Sequence, residues 1–208
     1  MFSGPNVDAI REEFQLNDEN YFTAGSCTEL YCKGETVLRL SSDCSSHCLI
    51  VIGNEKGWAV PKLFADYGAL IEADESPEWN HYWLGEFEKM SELSTSPKIE
   101  KVFKEWLSET LKQADLEDHL VSGEYFPALQ EALNQRVEEG RFHELASTLI
   151  AMIKVCDGEM DLDLGNFMLR ASTGEVVVTD PAHGMEPFPE SWEARGVVSE
   201  STNTASCL

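Results

Sequence analysis

Apolar and polar positions change texture twice along the chain. Residues 1–20 are polar, with one short helix expected around 8–14. From Tyr21 the pattern turns to short strands at 21–23, 28–32 and 36–40, separated by a Gly25-Ser26 turn and by Lys33-Gly34-Glu35. Two more strands are expected at 48–52 and 58–65, on either side of Gly53-Asn54-Glu55-Lys56-Gly57, and another at 67–73. The first third of the chain therefore predicts a small antiparallel sheet.

Beyond Pro77 the texture becomes helical. Over residues 98–112, Ile99, Val102, Phe103, Trp106, Leu107 and Leu111 recur at three- and four-residue steps, with Glu100, Lys101, Lys104 and Glu105 on the other side. Pro127 opens a further helix running through residues 135–140, and 141–156 is apolar on several faces, as a central buried helix is. Strands return at 166–170 and 175–179, joined by a Ser172-Thr173-Gly174 turn. The order is thus a sheet unit (1–76), a helical unit ending in an Asp-bearing hairpin (77–194), and a Ser-, Thr- and Asn-rich stretch (195–208) expected to be a flexible tail.

With 208 residues, 42% of them hydrophobic, the chain can bury a core as one domain or as two small lobes around a cleft. Its most apolar stretch, near 145–155, is interrupted by Ser147, Thr148 and Lys154, and its first residues lack a basic-then-apolar leader. A soluble cytoplasmic protein without a membrane partner is expected. Cys27 and Cys32, and Cys44 and Cys48, lack the C-x-x-C spacing of a structural zinc site, so reduced thiols are expected. The charge is the unusual feature. Fifteen Lys and Arg against 38 Asp and Glu give a formal net charge of −23, which disfavours direct nucleic-acid binding and favours basic partners.

The chemistry-bearing residues gather late in the chain. Asp161 is followed five positions on by Asn166, and the hairpin then leads to Asp180-Pro181. Phosphoryl transfer needs a carboxylate near the attacking hydroxyl and oxygen ligands for a magnesium ion that bridges phosphates. A loop Asp, an amide oxygen and a second Asp supply that set. Singly, each residue has a structural alternative: Asp180-Pro181 as a turn, Asp161 or Asp163 as a loop cap, Asn166 as a group satisfying backbone.

The D-x-x-x-x-N spacing followed by a hairpin and a terminal Asp resembles the catalytic and metal-binding segments of the protein-kinase-like superfamily. It is most similar to the early serine/threonine kinases of T7-like bacteriophages. The resemblance implies a minimal two-lobed α+β fold, with an N-terminal antiparallel sheet lobe and a C-terminal mainly helical lobe. It implies Asp161 as catalytic base, Asn166 and Asp180 as Mg2+ ligands, and ATP as cofactor. Gly25 and Ser26, in the first turn between strands, would lie over the phosphates. Arg39, in Val37-Leu38-Arg39-Leu40, stands where such enzymes carry a phosphate-binding Lys, with Lys33 or Lys62 completing the anion site. Asp43, Glu55 and Glu72 are the candidates for the acidic partner of that cation. Asp163 departs from the pattern, occupying a place where protein kinases carry Lys, and the 28 residues after Asp180 leave no room for a long activation segment. His47 and His183 are expected to be structural or at the surface, and His119 and His143 have no constellation nearby in sequence.

Two functions follow from these features. One is a phosphotransferase acting on Ser or Thr of a host or partner protein, in the host cytoplasm if phage-encoded. The other is a kinase-shaped, catalytically weak or inactive acidic protein that blocks a basic, nucleic-acid-binding partner. A metal-dependent hydrolase ranks last, because no histidine ligand cluster supports it.

Overall fold

The computed structural model describes residues 2–74, 81–188 and 196–197, the last pair by backbone alone. The chain is α+β, with an antiparallel sheet and several helices. Helix α1 (Pro5–Phe14) precedes β1 (Tyr21–Ala24), β2 (Thr28–Lys33), β3 (Thr36–Ser41), helix α2 (Cys44–Lys56), β4 (Leu63–Glu72) and β5 (His81–Glu88). These strands join a backbone pair β12 (Gly196–Val197) in one sheet of order β1-β2-β3-β5-β4-β12. Between β5 and β12 come β6 (Ser91–Glu92), α3 (Pro97–Gln113), β7 (Leu120–Val121), α4 (Phe126–Glu139), α5 (His143–Ile153), β8 (Glu159–Asp161), β9 (Phe167–Arg170), β10 (Glu175–Val178) and β11 (Ala182–His183).

Two expectations for the first half are corrected. Residues 48–52 are not a strand but the middle of α2. The segment is apolar on every side because the helix is buried nearly all round, from Cys44 through Val51, so period alone does not separate helix from strand. The ends decide it. The Asp43 carboxylate accepts the Ser45 N–H at the amino end, and Gly57, at φ 70°, takes the left-handed turn that closes the other. Residues 58–65 and 67–73 are not two strands either. Strand pairing begins at Leu63 and runs as one irregular β4 to Glu72, its register shifting against β5 in three places.

The helical texture expected beyond Pro77 is interrupted as well. His81–Glu88 forms β5, which inserts between β3 and β4 and carries the sheet past residue 76, itself within the segment outside the described residues. Its buried run, Tyr82, Trp83, Leu84 and Gly85, does not alternate because both faces of a central strand are covered. Of the tail expected over 195–208, only Gly196 and Val197 are described, paired with Asp66 and Ala65 of β4. Cys207 also lies outside the described residues. The other five cysteines are thiols rather than disulfides.

Side-chain alternation along β3 divides the sheet. Leu38 and Leu40 point to the α1 side and pack with Tyr31, Tyr82 and Leu84. Val37 and Arg39 point to the opposite side, where Val37 joins a core that continues through Leu49, Phe103, Leu149, Phe167 and Val177. The hairpin β9–β10 is docked to the end of the sheet by Arg170. Its guanidinium bonds Glu88 at 2.9 Å and the Val60 carbonyl at 2.7 Å, while the Val178 N–H donates to Ala59 at 3.1 Å. That docking sets the Asp-bearing loops against the face of β3 that carries Arg39. Among the described residues no helix is long and apolar enough to cross a membrane.

Candidate active site

A cavity of about 380 Å³ opens between the β1–β2 turn, the start of α2 and the loops around β8, β9 and β11. Gly25, Ser26, Arg39, Asp161, Asn166 and Asp180, drawn from three separate stretches of sequence, all line it. Asp43, a candidate acidic partner of Arg39 from sequence, lines it too, as do His119 and His183, which sequence alone did not single out for the site. Lys33 and Lys62 do not. Lys33 is at the far end of β2 with its ammonium on Glu86 at 2.6 Å, and Lys62 lies over the Phe64 ring.

The β1–β2 turn forms one wall. The Gly25 N–H donates to the Thr28 carbonyl at 2.8 Å, closing the turn, and Ser41 Oγ holds the Cys27 carbonyl at 2.8 Å. A Cβ built on Gly25 would have nothing of the chain within 4 Å, so packing alone does not require glycine there. A ligand that approaches the backbone closely would require it.

Arg39 supplies the positive wall. Its side chain is 8% exposed, and its Nη2 donates to Asp180 Oδ1 at 2.9 Å and, more weakly, to Thr28 Oγ1 at 3.4 Å. Nη1 is buried with no hydrogen-bond partner. A buried guanidinium with an idle donor is costly unless something else uses it. Asp180, 47% exposed, lies at the end of the hairpin, where the Thr179 N–H is fixed to the Asn166 carbonyl at 2.8 Å.

The opposite wall is the loop after β8. Its residues are pinned by pairing on both sides: the Asp161 N–H donates to the Pro181 carbonyl and the Leu162 N–H to the His119 carbonyl, each at 2.9 Å. Asp161 Oδ1 accepts the Asp163 N–H at 3.0 Å, leaving Oδ2 for other partners. Asn166 Nδ2 leans on the Asp161 carbonyl at 3.3 Å, so the amide oxygen is its acceptor toward the cavity. Asp163 turns back to cap the following turn through the Gly165 N–H at 2.7 Å and does not line the cavity. For Asp163, the loop-cap alternative is the one observed.

His119 arrives through β7. The pairing of Leu120 with Asp161 brings its ring alongside, with Nε2 3.9 Å from Asp161 Oδ1 and Nδ1 3.0 Å from Asp118 Oδ1. His183 follows Asp180 closely and meets the helix-capping Asp43, Nδ1 to Oδ2 at 3.0 Å. Each of the three cavity carboxylates, Asp43, Asp161 and Asp180, therefore faces one basic group.

For a magnesium ion the donors are the Asp180 carboxylate and the Asn166 amide oxygen. Among the described residues no group of three or more His, Cys, Asp or Glu could hold a metal ion by itself. Two protein oxygens suit a cation that keeps waters and takes its remaining ligands from substrate phosphates, which is the usual manner of Mg2+. Such a donor set would fit an ion that arrives with a phosphate ligand better than a resident one. Compared with protein-family models, with curated proteins and with solved structures, the chain matches none.

Proposed function

We propose that the protein is an ATP- and Mg2+-dependent phosphotransferase with a minimal two-lobed, protein-kinase-like architecture, acting on a Ser or Thr hydroxyl of a protein. The observation that carries this reading is Arg39. Arg39, whose buried Nη1 has no hydrogen-bond partner, lines the same cavity as Asp161, Asn166 and Asp180, an arrangement suited to polyphosphate on one side and to hydroxyl chemistry on the other. Further support comes from the sheet, in which a cation on the third strand is followed directly by a helix and two more antiparallel strands.

In this function Arg39 binds phosphate oxygens through its fork, and the β1–β2 turn covers them. Asp180 and Asn166 would hold Mg2+, which supplies charge neutralisation at the phosphates. The acceptor hydroxyl oxygen attacks the γ-phosphorus and the bond to the β–γ bridging oxygen breaks. ADP leaves with that electron pair, and the hydroxyl proton passes to Asp161. Asp161 is held by its backbone N–H on the Pro181 carbonyl and by its Oδ1 accepting the Asp163 N–H, so its contribution is mainly positioning. The net charge of −23 favours a basic protein as acceptor.

The test is transfer of label from γ-labelled ATP with Mg2+, to the protein itself and to basic proteins of a lysate, with a folded Asp180→Ala variant as control. Label with the native chain and none with the variant is expected. Equal labelling by both refutes the assignment of Asp180. No labelling by a folded native chain points to the acidic binding protein that blocks a basic partner.

A further inference from the structure

We propose that His119 is a catalytic residue that donates from Nε2 to the transferred phosphoryl group. This inference rests on the phosphotransferase reading and adds to it a group that sequence spacing gave no reason to recruit. The starting point is electrostatic. A γ-phosphoryl group in transit carries negative charge on its equatorial oxygens, and it would pass between Asp161 and Asp180, both carboxylates. Something cationic or donating must stand at the Asp161 end of the cavity.

Among the described lining residues, three side chains can carry positive charge: Arg39, His119 and His183. Arg39 is committed to the Asp180 end, at 2.9 Å from its carboxylate. His183 is engaged by the Asp43 carboxylate at the head of α2, 3.0 Å from Nδ1. The catalytic loop offers no cation of its own, since Asp163 is turned back on Gly165. That leaves His119, whose backbone and ring each have a defined neighbour. Its carbonyl accepts the Leu162 N–H at 2.9 Å, and Asp118 Oδ1 lies 3.0 Å from Nδ1. In the imidazolium form both ring nitrogens donate, Nδ1 on the side of Asp118 Oδ1 and Nε2 on the side of Asp161. Nε2 then faces Asp161 across 3.9 Å, too far for a direct hydrogen bond and suited to an oxygen held between them. In the transfer step itself the bonds made and broken are those given above. His119 gives up no proton and only stabilises charge on oxygens that become part of the phosphorylated product.

A donor to the γ-phosphoryl group distinguishes ATP from ADP, which supplies a readout independent of turnover. Calorimetric titration of the full chain with Mg2+ and either ADP or the β,γ-imido analogue of ATP is the experiment, on native protein, His119→Ala and His119→Lys. His119 is half exposed, so the substitutions leave the core intact, and ADP binding reports that the site is still formed. His119→Ala is expected to lose about tenfold in affinity for the triphosphate while ADP affinity changes less than about twofold, as the loss of one charge-assisted hydrogen bond requires. His119→Lys is expected to recover most of the difference. Equal losses for both nucleotides, or none for either, overturn the role of His119 while leaving the phosphotransferase intact. Failure of the native chain to bind either nucleotide overturns both.

Discussion

The ion pair between Arg39 and Asp180 joins the sheet to the hairpin, and Asp180→Ala measures what that join is worth before any nucleotide is present. At an effective dielectric of 20, two charges 4 Å apart attract by about 4 kcal/mol. The guanidinium is 8% exposed but the carboxylate is 47% exposed, so water screens one partner and the gross figure must be reduced. Removing one member of a fully buried pair costs about 3–5 kcal/mol and of an exposed pair about 0–1, which places this pair near 2 kcal/mol. Most of that cost belongs to the guanidinium left behind. Without Asp180, Nη2 retains only Thr28 at 3.4 Å and Nη1 remains unpartnered. Arg39→Met combined with Asp180→Ala is therefore expected to be more stable than Asp180→Ala alone, by about 1 kcal/mol. Urea denaturation followed by tryptophan fluorescence at neutral pH gives all four corners of the cycle. If Asp180→Ala unfolds at the native midpoint and the two substitutions add without coupling, the pair does not hold the hairpin and the cavity is not organised as described.

Two further outcomes test the walls of the site. A Cβ on Gly158 would stand 2.4 Å from the His183 carbonyl oxygen and 2.9 Å from the backbone of Gly184 and Met185, none of which is a flexible side-chain end. Gly158→Ala is therefore expected to cost about 2 kcal/mol or more in urea denaturation and to weaken nucleotide binding, since the strand after Asp180 must move; a native-like midpoint would show that β8 and β11 do not approach so closely. On the α1 side of the sheet, burial and then the hydrogen bond to Glu29 push the Tyr31 hydroxyl up from 10.0 to about 12. A raised folded value means that the folded state keeps its proton longer than the unfolded chain. That contribution is complete below pH 10.0 and is lost as pH rises through about 12, a slope Tyr31→Phe removes from the pH dependence of the urea midpoint. A slope that persists in Tyr31→Phe would assign the alkaline transition elsewhere.

What the sequence disclosed follows from how local each signal is. Strands β1 to β3, helix α3 and the β9–β10 hairpin have amphipathic faces or turn residues that act within a few positions, and they occur where pattern predicts them. Helix α2 and strand β5 are covered on all sides, so their apolar runs lose the period that separates the two states; the Asp43 cap and the left-handed Gly57 carry the missing information for α2. The same distinction holds in the cavity. Asp161, Asn166 and Asp180 lie on one continuous stretch and their spacing was readable. His119 reaches Asp161 only because β7 pairs with β8, a contact between distant segments that no local pattern encodes. Lys33 had the right charge and the right neighbourhood in sequence, but it ends β2 at the edge remote from the cavity, where Glu86 holds it.

The net charge of −23 opposes the anionic nucleotide proposed as substrate, and the arrangement of the cavity resolves the difficulty. Screening limits the reach of surface carboxylates to about 8 Å at physiological salt, so the groups lining the cavity dominate the field a phosphate meets. There the three carboxylates are each faced by a basic group, Arg39 at 2.9 Å, His183 at 3.0 Å and His119 at 3.9 Å. On the proposed function, a phosphate entering with its own cation would exchange partners within this set, Arg39 turning from Asp180 to phosphate oxygen as Asp180 turns to the cation. The exchange keeps every buried charge compensated, which a site of unpaired carboxylates does not permit. On the same proposal the bulk acidity would steer a basic protein substrate toward the cavity, and high salt is expected to slow phosphorylation of such a protein far more than it weakens binding of the nucleotide.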